Sequence, residues 1–184
     1  MPTGRDVTYA NYVLEYRPLK TQTHRVRITV GGDRLSYPDD ASSPATNILE
    51  TKVLLNSVIS DSHKGARFMT ADVKDFFLNS PMKRPEYMKT SYKHFPSDIR
   101  RKYKLDSKVT PSGHIYIRIK KGMYGLKQAA ILAYQRLKQT LATAGFFSVL
   151  GTVGLWRHDN KPIHFCLCVN ERSVSQLVTP VGIA

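Results

Sequence analysis

His164-x-Cys166-x-Cys168 sets an imidazole and two thiols on one face of a β-prone run, a grouping that suggests a metal site. A fourth ligand is missing nearby, so strand packing is the expected role of these three residues. A second grouping has a different chemistry. From Lys83 to Lys127 thirteen Lys/Arg stand against Glu86, Asp98 and Asp106, a local net of +10. Tyr87, Tyr92, Phe95, Tyr103, Tyr116 and Tyr124 are interleaved with them. Base stacking with phosphate contact uses that mixture, and so does a half-buried sheet. A third candidate is the carboxylate of Asp72, placed where the run Phe68 to Val73 breaks into Lys74-Asp75-Phe76-Phe77. Taken alone it is an exposed strand-end charge. No Ser/His/Asp or Cys/His set has persuasive spacing, and Lys64-Gly65 lacks the upstream glycine and following Ser/Thr of a phosphate loop.

The whole chain supports the second grouping. With 184 residues, 41% of them hydrophobic, it is long enough for one core and too short for two ordinary domains. Its net charge of +14 favours a polyanionic partner, and the local excess favours one basic face over scattered charge. Two cysteines spaced one residue apart on a strand do not bridge each other easily, so reduced thiols are expected. The N-terminal residues lack the apolar core of a signal peptide, and no run approaches membrane-spanning length. An intracellular protein of cytoplasm or nucleus is expected, neither secreted nor membrane-bound.

The elements that must position these groups can be read from pattern. Residues 1–20 have weak periodicity and are expected to form a peripheral arm. Arg25 to Val30 is β-prone and ends at Gly31-Gly32, which predicts a hairpin turn. Pro44 suits the first turn of a helix capped by Ser43 and running to about Ser60, with Ile48, Val53, Leu55 and Ile59 buried. Phe68 to Val73 predicts a strand, and Pro81 and Pro85 punctuate the stretch after it. Thr110-Pro111-Ser112-Gly113 predicts a turn into Ile115 to Lys120, where strict alternation sets three isoleucines on one face. Gln128 to Ala144 has helical spacing at Ile131, Tyr134, Leu137 and Leu141, with Gly145 as the terminating glycine. Val153 to Trp156 and Ile163 to Val169 predict two further strands. Strands and helices without a regular βαβ rhythm give an α+β class.

Five segments, in order along the chain, resemble the reverse transcriptase of copia-type retrotransposons. Asp72-Val73-Lys74-Asp75-Phe76-Phe77-Leu78-Asn79 is similar to that family's first catalytic motif, and Pro85-Glu86-Tyr87-Met88-Lys89 to the family segment just downstream of it. Lys120-Lys121-Gly122-Met123-Tyr124-Gly125-Leu126-Lys127-Gln128-Ala129 is similar to its most recognisable signature. Phe165 to Val169 resembles the strand before its paired aspartates, and Arg25 to Ile28 with Gly32 its fingers strand.

The resemblance spans roughly Arg25 to Glu171 and implies a partial polymerase palm and fingers at 21–172, with an antiparallel sheet and helices on one face. It implies an N-terminal arm at 1–20, a divergent tail at 173–184, and an absent thumb. The implied activity is template-directed nucleotidyl transfer on an RNA or DNA template-primer, using deoxynucleoside triphosphates and Mg²⁺ or Mn²⁺. By that likeness Asp72 and the carbonyl of Val73 would bind metal, with the catalytic set completed at positions 170 and 171. Phe77, Gln128 and Arg27 would line the nucleotide site. Lys120, Lys121 and Lys127 would face template or primer phosphates.

The second catalytic segment departs from the family. Asn170 stands where an aspartate is usual, so one anionic ligand becomes a neutral amide. Glu171 keeps a carboxylate one methylene longer, and Cys168 replaces tyrosine or valine. Ala130, Ile131 and Ala133 also leave the family's continuation after Gln128. A ligand displaced by about an ångström costs catalysis heavily, so lost polymerase activity is expected, with nucleic-acid binding as the alternative retained role.

Overall fold

The computed structural model describes residues 4–42, 46–152, 154–169 and 174–180, with backbone alone for 168–169 and 174–180. Thr8–Tyr16 (β1) and His24–Val30 (β2) form an antiparallel hairpin whose reversal lies between Arg17 and Thr23, joined by a 2.7 Å backbone bond. Residues expected to form an arm are therefore mostly strand. The reason is non-local: β1 takes its partners from β2 on one side and, in parallel, from the later strand β4 (Pro81–Ser91) on the other. Gly31-Gly32 is likewise not the hairpin turn. It leads from β2 into a 3-10 turn at Gly32–Arg34.

Helix α1 (Ile48–Ser60) begins later than Pro44 because Asn47 caps it. Asn47 Oδ1 accepts from the Glu50 amide at 2.8 Å, and Glu50 Oε2 accepts from the Asn47 amide at 3.1 Å. The expected Ser43 cap lies outside the described residues. The expected buried face is also corrected, since Leu54 is buried while Ile48, Val53 and Ile59 are exposed. The helix meets the sheet at β8 and β9 along a different stripe from the one its densest apolar spacing suggests.

Met69–Asp72 (β3) is the short strand that ends at Asp72. In β4 the register shifts between Pro81 and Glu86, so both prolines occupy the irregular stretch where a missing N–H costs least. A short helix α2 (Ser97–Tyr103) comes next, then β5 (His114–Lys121). Gly113 turns the chain into β5 as expected, and Ile115 and Ile119 are buried with Ile117 half-buried between them. Helix α3 (Ala129–Thr143) buries Ala129, Ala133 and Tyr134 and ends before Gly145, whose φ of 81° suits a helix terminus.

The remaining strands are β6 (Phe146–Ser148), β7 (Leu155–His158), β8 (Ile163–Val169) and β9 (Val174–Pro180). The stretch 173–184, expected as a divergent tail, thus contributes a strand. One sheet has the order β2-β1-β4-β5, and the other the order β3-β9-β8-β7-β6. All described pairings are antiparallel except β1 with β4. The class is mixed α+β with antiparallel-rich sheets, as expected. Between the sheets and α3 sits one core, in which Trp156 stacks on Phe165 at 6.0 Å and meets Tyr134 edge-on at 6.5 Å.

Candidate functional site

The loop Gly122 to Gln128 is held by backbone contacts to two other segments that the sequence singles out. The amide of Val30, at the end of β2, donates to Tyr124 O at 2.8 Å. Gly125 has φ of 91°, and a Cβ there would lie 2.0 Å from Val30 O, so no other residue fits without moving β2. On the other side the Gly122 amide donates to Ser80 O at 2.7 Å, and a Cβ on Gly122 would sit 2.5 Å from Phe77 O. The spacing of the two glycines is thus a packing requirement at a three-way junction.

Asp72 is exposed at the end of β3, and among the described residues nothing pairs with its carboxylate. Its Cα partner is Ser175 of β9, which in turn is opposite Cys168 of β8. The three backbones form one row, one residue from the end of β8 and the start of β9. Asn170 and Glu171 lie in the connection between these two strands and outside the described residues. Val73 leaves the strand half-buried, packed on the core, and lines a pocket of about 190 Å³ with Phe76, Ala133 and Arg136.

The other expected residues divide into separate places. Arg27 pairs with Glu15 at 3.2 Å and lines a pocket of about 470 Å³ together with Thr29, Tyr124 and Gly125. Its Nε is shielded and has no partner. Phe77 is 3% exposed and meets Tyr124 edge-on at 5.5 Å, so its ring belongs to the core and presents no open face. Gln128 is 4% exposed; its Nε2 donates to Glu86 Oε1 at 3.2 Å, and its Oε1 has no partner. It lines a different pocket, of about 160 Å³, with Tyr37, Met82 and Leu132. Among the described residues, Arg27 and Gln128 thus line different pockets. Lys120 and Lys121 at the end of β5, and Lys127 before α3, are all exposed.

Two participants escape the sequence reading. Glu86 is buried, and Arg5, from the stretch expected as an arm, pairs with it at 3.1 Å. The signal for Glu86 was its acidity within a basic run. Nothing local marks Arg5.

For a metal, Asp72 brings one carboxylate and Val73 a backbone carbonyl, and no third His, Cys, Asp or Glu among the described residues completes a group with Asp72. Two divalent cations need more anionic oxygen than that, so the described residues do not fit the pair. Among the described residues no cluster of three His, Cys, Asp or Glu could hold an ion, and Cys166 is buried on the α1 side of β8, where burial pushes its thiol up. No helix among the described residues is long and apolar enough to cross a membrane.

Fold and site together define a mixed α+β chain with a glycine-clamped loop, a strand-end carboxylate and an excess of basic surface. No family model, curated protein or solved structure matches the chain.

Proposed function

We propose that this chain is a fingers-and-palm portion of a copia-type reverse transcriptase in which polymerase chemistry has been lost and nucleic-acid binding retained. The observation that carries this reading is the meeting of the resembling segments. The end of β2, the turn after Asp72 and the Gly122–Gln128 loop touch through backbone atoms, while Asp72 occupies a row with the strands that flank Asn170 and Glu171. Segments similar by chance need not meet in space. The basic excess of the chain supports the partner, an RNA or DNA template-primer, with deoxynucleoside triphosphates as the family's substrate.

The donor set accounts for the loss of chemistry. Asn170 supplies a neutral oxygen where an anion would be needed, and Glu171 reaches from a longer side chain. The cation to test is Mg²⁺ or Mn²⁺.

Primer extension on an RNA template, with each metal, compares the chain as it stands with Asn170→Asp/Glu171→Asp. No extension by the first and extension by the second is the expected result. Extension by the unmodified chain overturns the loss of activity. If neither extends and neither retards a primer-template in a gel, the polymerase reading itself is overturned.

A further inference from the structure

The outer face of the β1–β4–β5 sheet carries aromatic rings and cations in register. Residues directly opposed on neighbouring strands share a face. Tyr9 of β1, Lys89 of β4 and Tyr116 of β5 stand in one row. Two positions away along the same face, Tyr87 is opposite Arg118. The alternate residues Thr8, Met88 and Ile115 are buried, so the sheet packs by one face and leaves the other to solvent. Arg34 sits over the Tyr9 ring at 4.9 Å, and with Lys89 and Tyr116 the pair lines a concavity of about 420 Å³. Tyr116 is 44% exposed, far from the burial of a core ring.

We infer that this face is a platform for single-stranded nucleic acid, with Tyr116 stacking on a base and Arg34, held over the Tyr9 ring, joining Lys89 and Arg118 in meeting phosphates. Charge alone would suit any polyanion. The exposed Tyr116 ring decides for a single strand, because an open ring face stacks on a base that a duplex keeps covered. Asp33, which accepts from the Tyr9 hydroxyl at 3.1 Å, fixes that ring at the edge of the row. The inference rests on the chemistry of this face, and it needs neither Asp72 nor a metal.

The test is fluorescence anisotropy of a labelled oligouridine of about 15 nucleotides, in EDTA and without nucleotide, against the same sequence as duplex. Three phosphate contacts predict a log–log salt slope of about −2 for the single strand. Tyr116→Ala weakens binding about 5- to 100-fold, from the loss of one stacked base, while Tyr116→Phe keeps it. Arg118→Gln weakens binding and flattens the slope by about 0.7. Lys138→Ala, exposed on α3, changes neither. Circular dichroism establishes that each variant is folded. The platform is overturned if Tyr116→Ala binds like the unmodified chain, if duplex binds as tightly as single strand, or if anionic lipid vesicles bind and the oligonucleotide does not. Because no catalysis is read, a chain that never extends a primer still passes or fails this test on its own terms.

Discussion

Gln128 Nε2 donates to Glu86 Oε1 at 3.2 Å between two buried side chains, and Arg5 Nη2 reaches the other oxygen of the same carboxylate at 3.1 Å. One carboxylate thus ties the start of α3, the middle of β4 and the chain N-terminal to β1. Removing one member leaves the rest of the network desolvated and unpaired. Glu86→Ala is expected to cost about 3 kcal/mol, and Arg5→Met somewhat less because Arg5 is partly exposed. Urea unfolding of both variants checks the order; equal stability with the unmodified chain would show the network to be energetically idle.

Gly125→Ala and Gly113→Ala separate close approach from backbone strain. Both glycines have positive φ, but a Cβ on Gly113 meets nothing within 4 Å, whereas on Gly125 it lies 2.0 Å from Val30 O. Gly113→Ala should cost about 1–2 kcal/mol, the left-handed penalty alone. Gly125→Ala should cost well beyond that, or prevent folding. Denaturant midpoints of the pair decide the matter.

Trp156 is the one tryptophan of the sequence and is 1% exposed, so its fluorescence reports the core directly. Trp156→Ala removes the ring stacked on Phe165 and should cost about 3–5 kcal/mol. Trp156→Phe should be far milder than Trp156→Ala, because the indole N–H has no partner among the described residues to lose. In the unmodified chain, emission should shift to longer wavelength in one transition as urea unfolds it.

Burial pushes the thiol of Cys166 and the phenol of Tyr134 above their ordinary ranges. In the unfolded chain both lose their protons at lower pH than in the folded one. Folded protein therefore binds more protons across that window, and stability falls as pH rises from about 8.5 upward. Below that pH the contribution is fully present. Unfolding free energies at pH 7, 9 and 10 should decline in that order, and Cys166 should resist a thiol reagent until the chain unfolds. Rapid labelling of Cys166 in native buffer would contradict its burial.

Elements with a local signal were legible in the chain alone. Strict alternation at Ile115-Tyr116-Ile117-Arg118-Ile119 made β5, and helical spacing closed by Gly145 made α3. The place of Gly125 was also legible, because a glycine pressed against a neighbouring carbonyl tolerates no side chain and so marks its own position.

Partners far along the chain settled the rest. β1 has no strong alternation of its own; it is a strand because β2 and β4 supply its hydrogen bonds. β9 is placed between β3 and β8 from a stretch past the end of the resemblance, where a divergent tail was expected. Which stripe of α1 is covered depended on how the helix crosses β8 and β9, and that selected Leu54 over Ile48 and Ile59. Side-chain roles divided in the same way. The resemblance offered Phe77 and Gln128 to a nucleotide site; in the fold Phe77 packs against Tyr124, Gln128 bonds to Glu86, and both are buried. Tyr9, Lys89 and Tyr116 are far apart in sequence, and strand register alone sets them in one row. Pattern in a chain records what each residue prefers; burial and register are settled by the neighbours that folding brings.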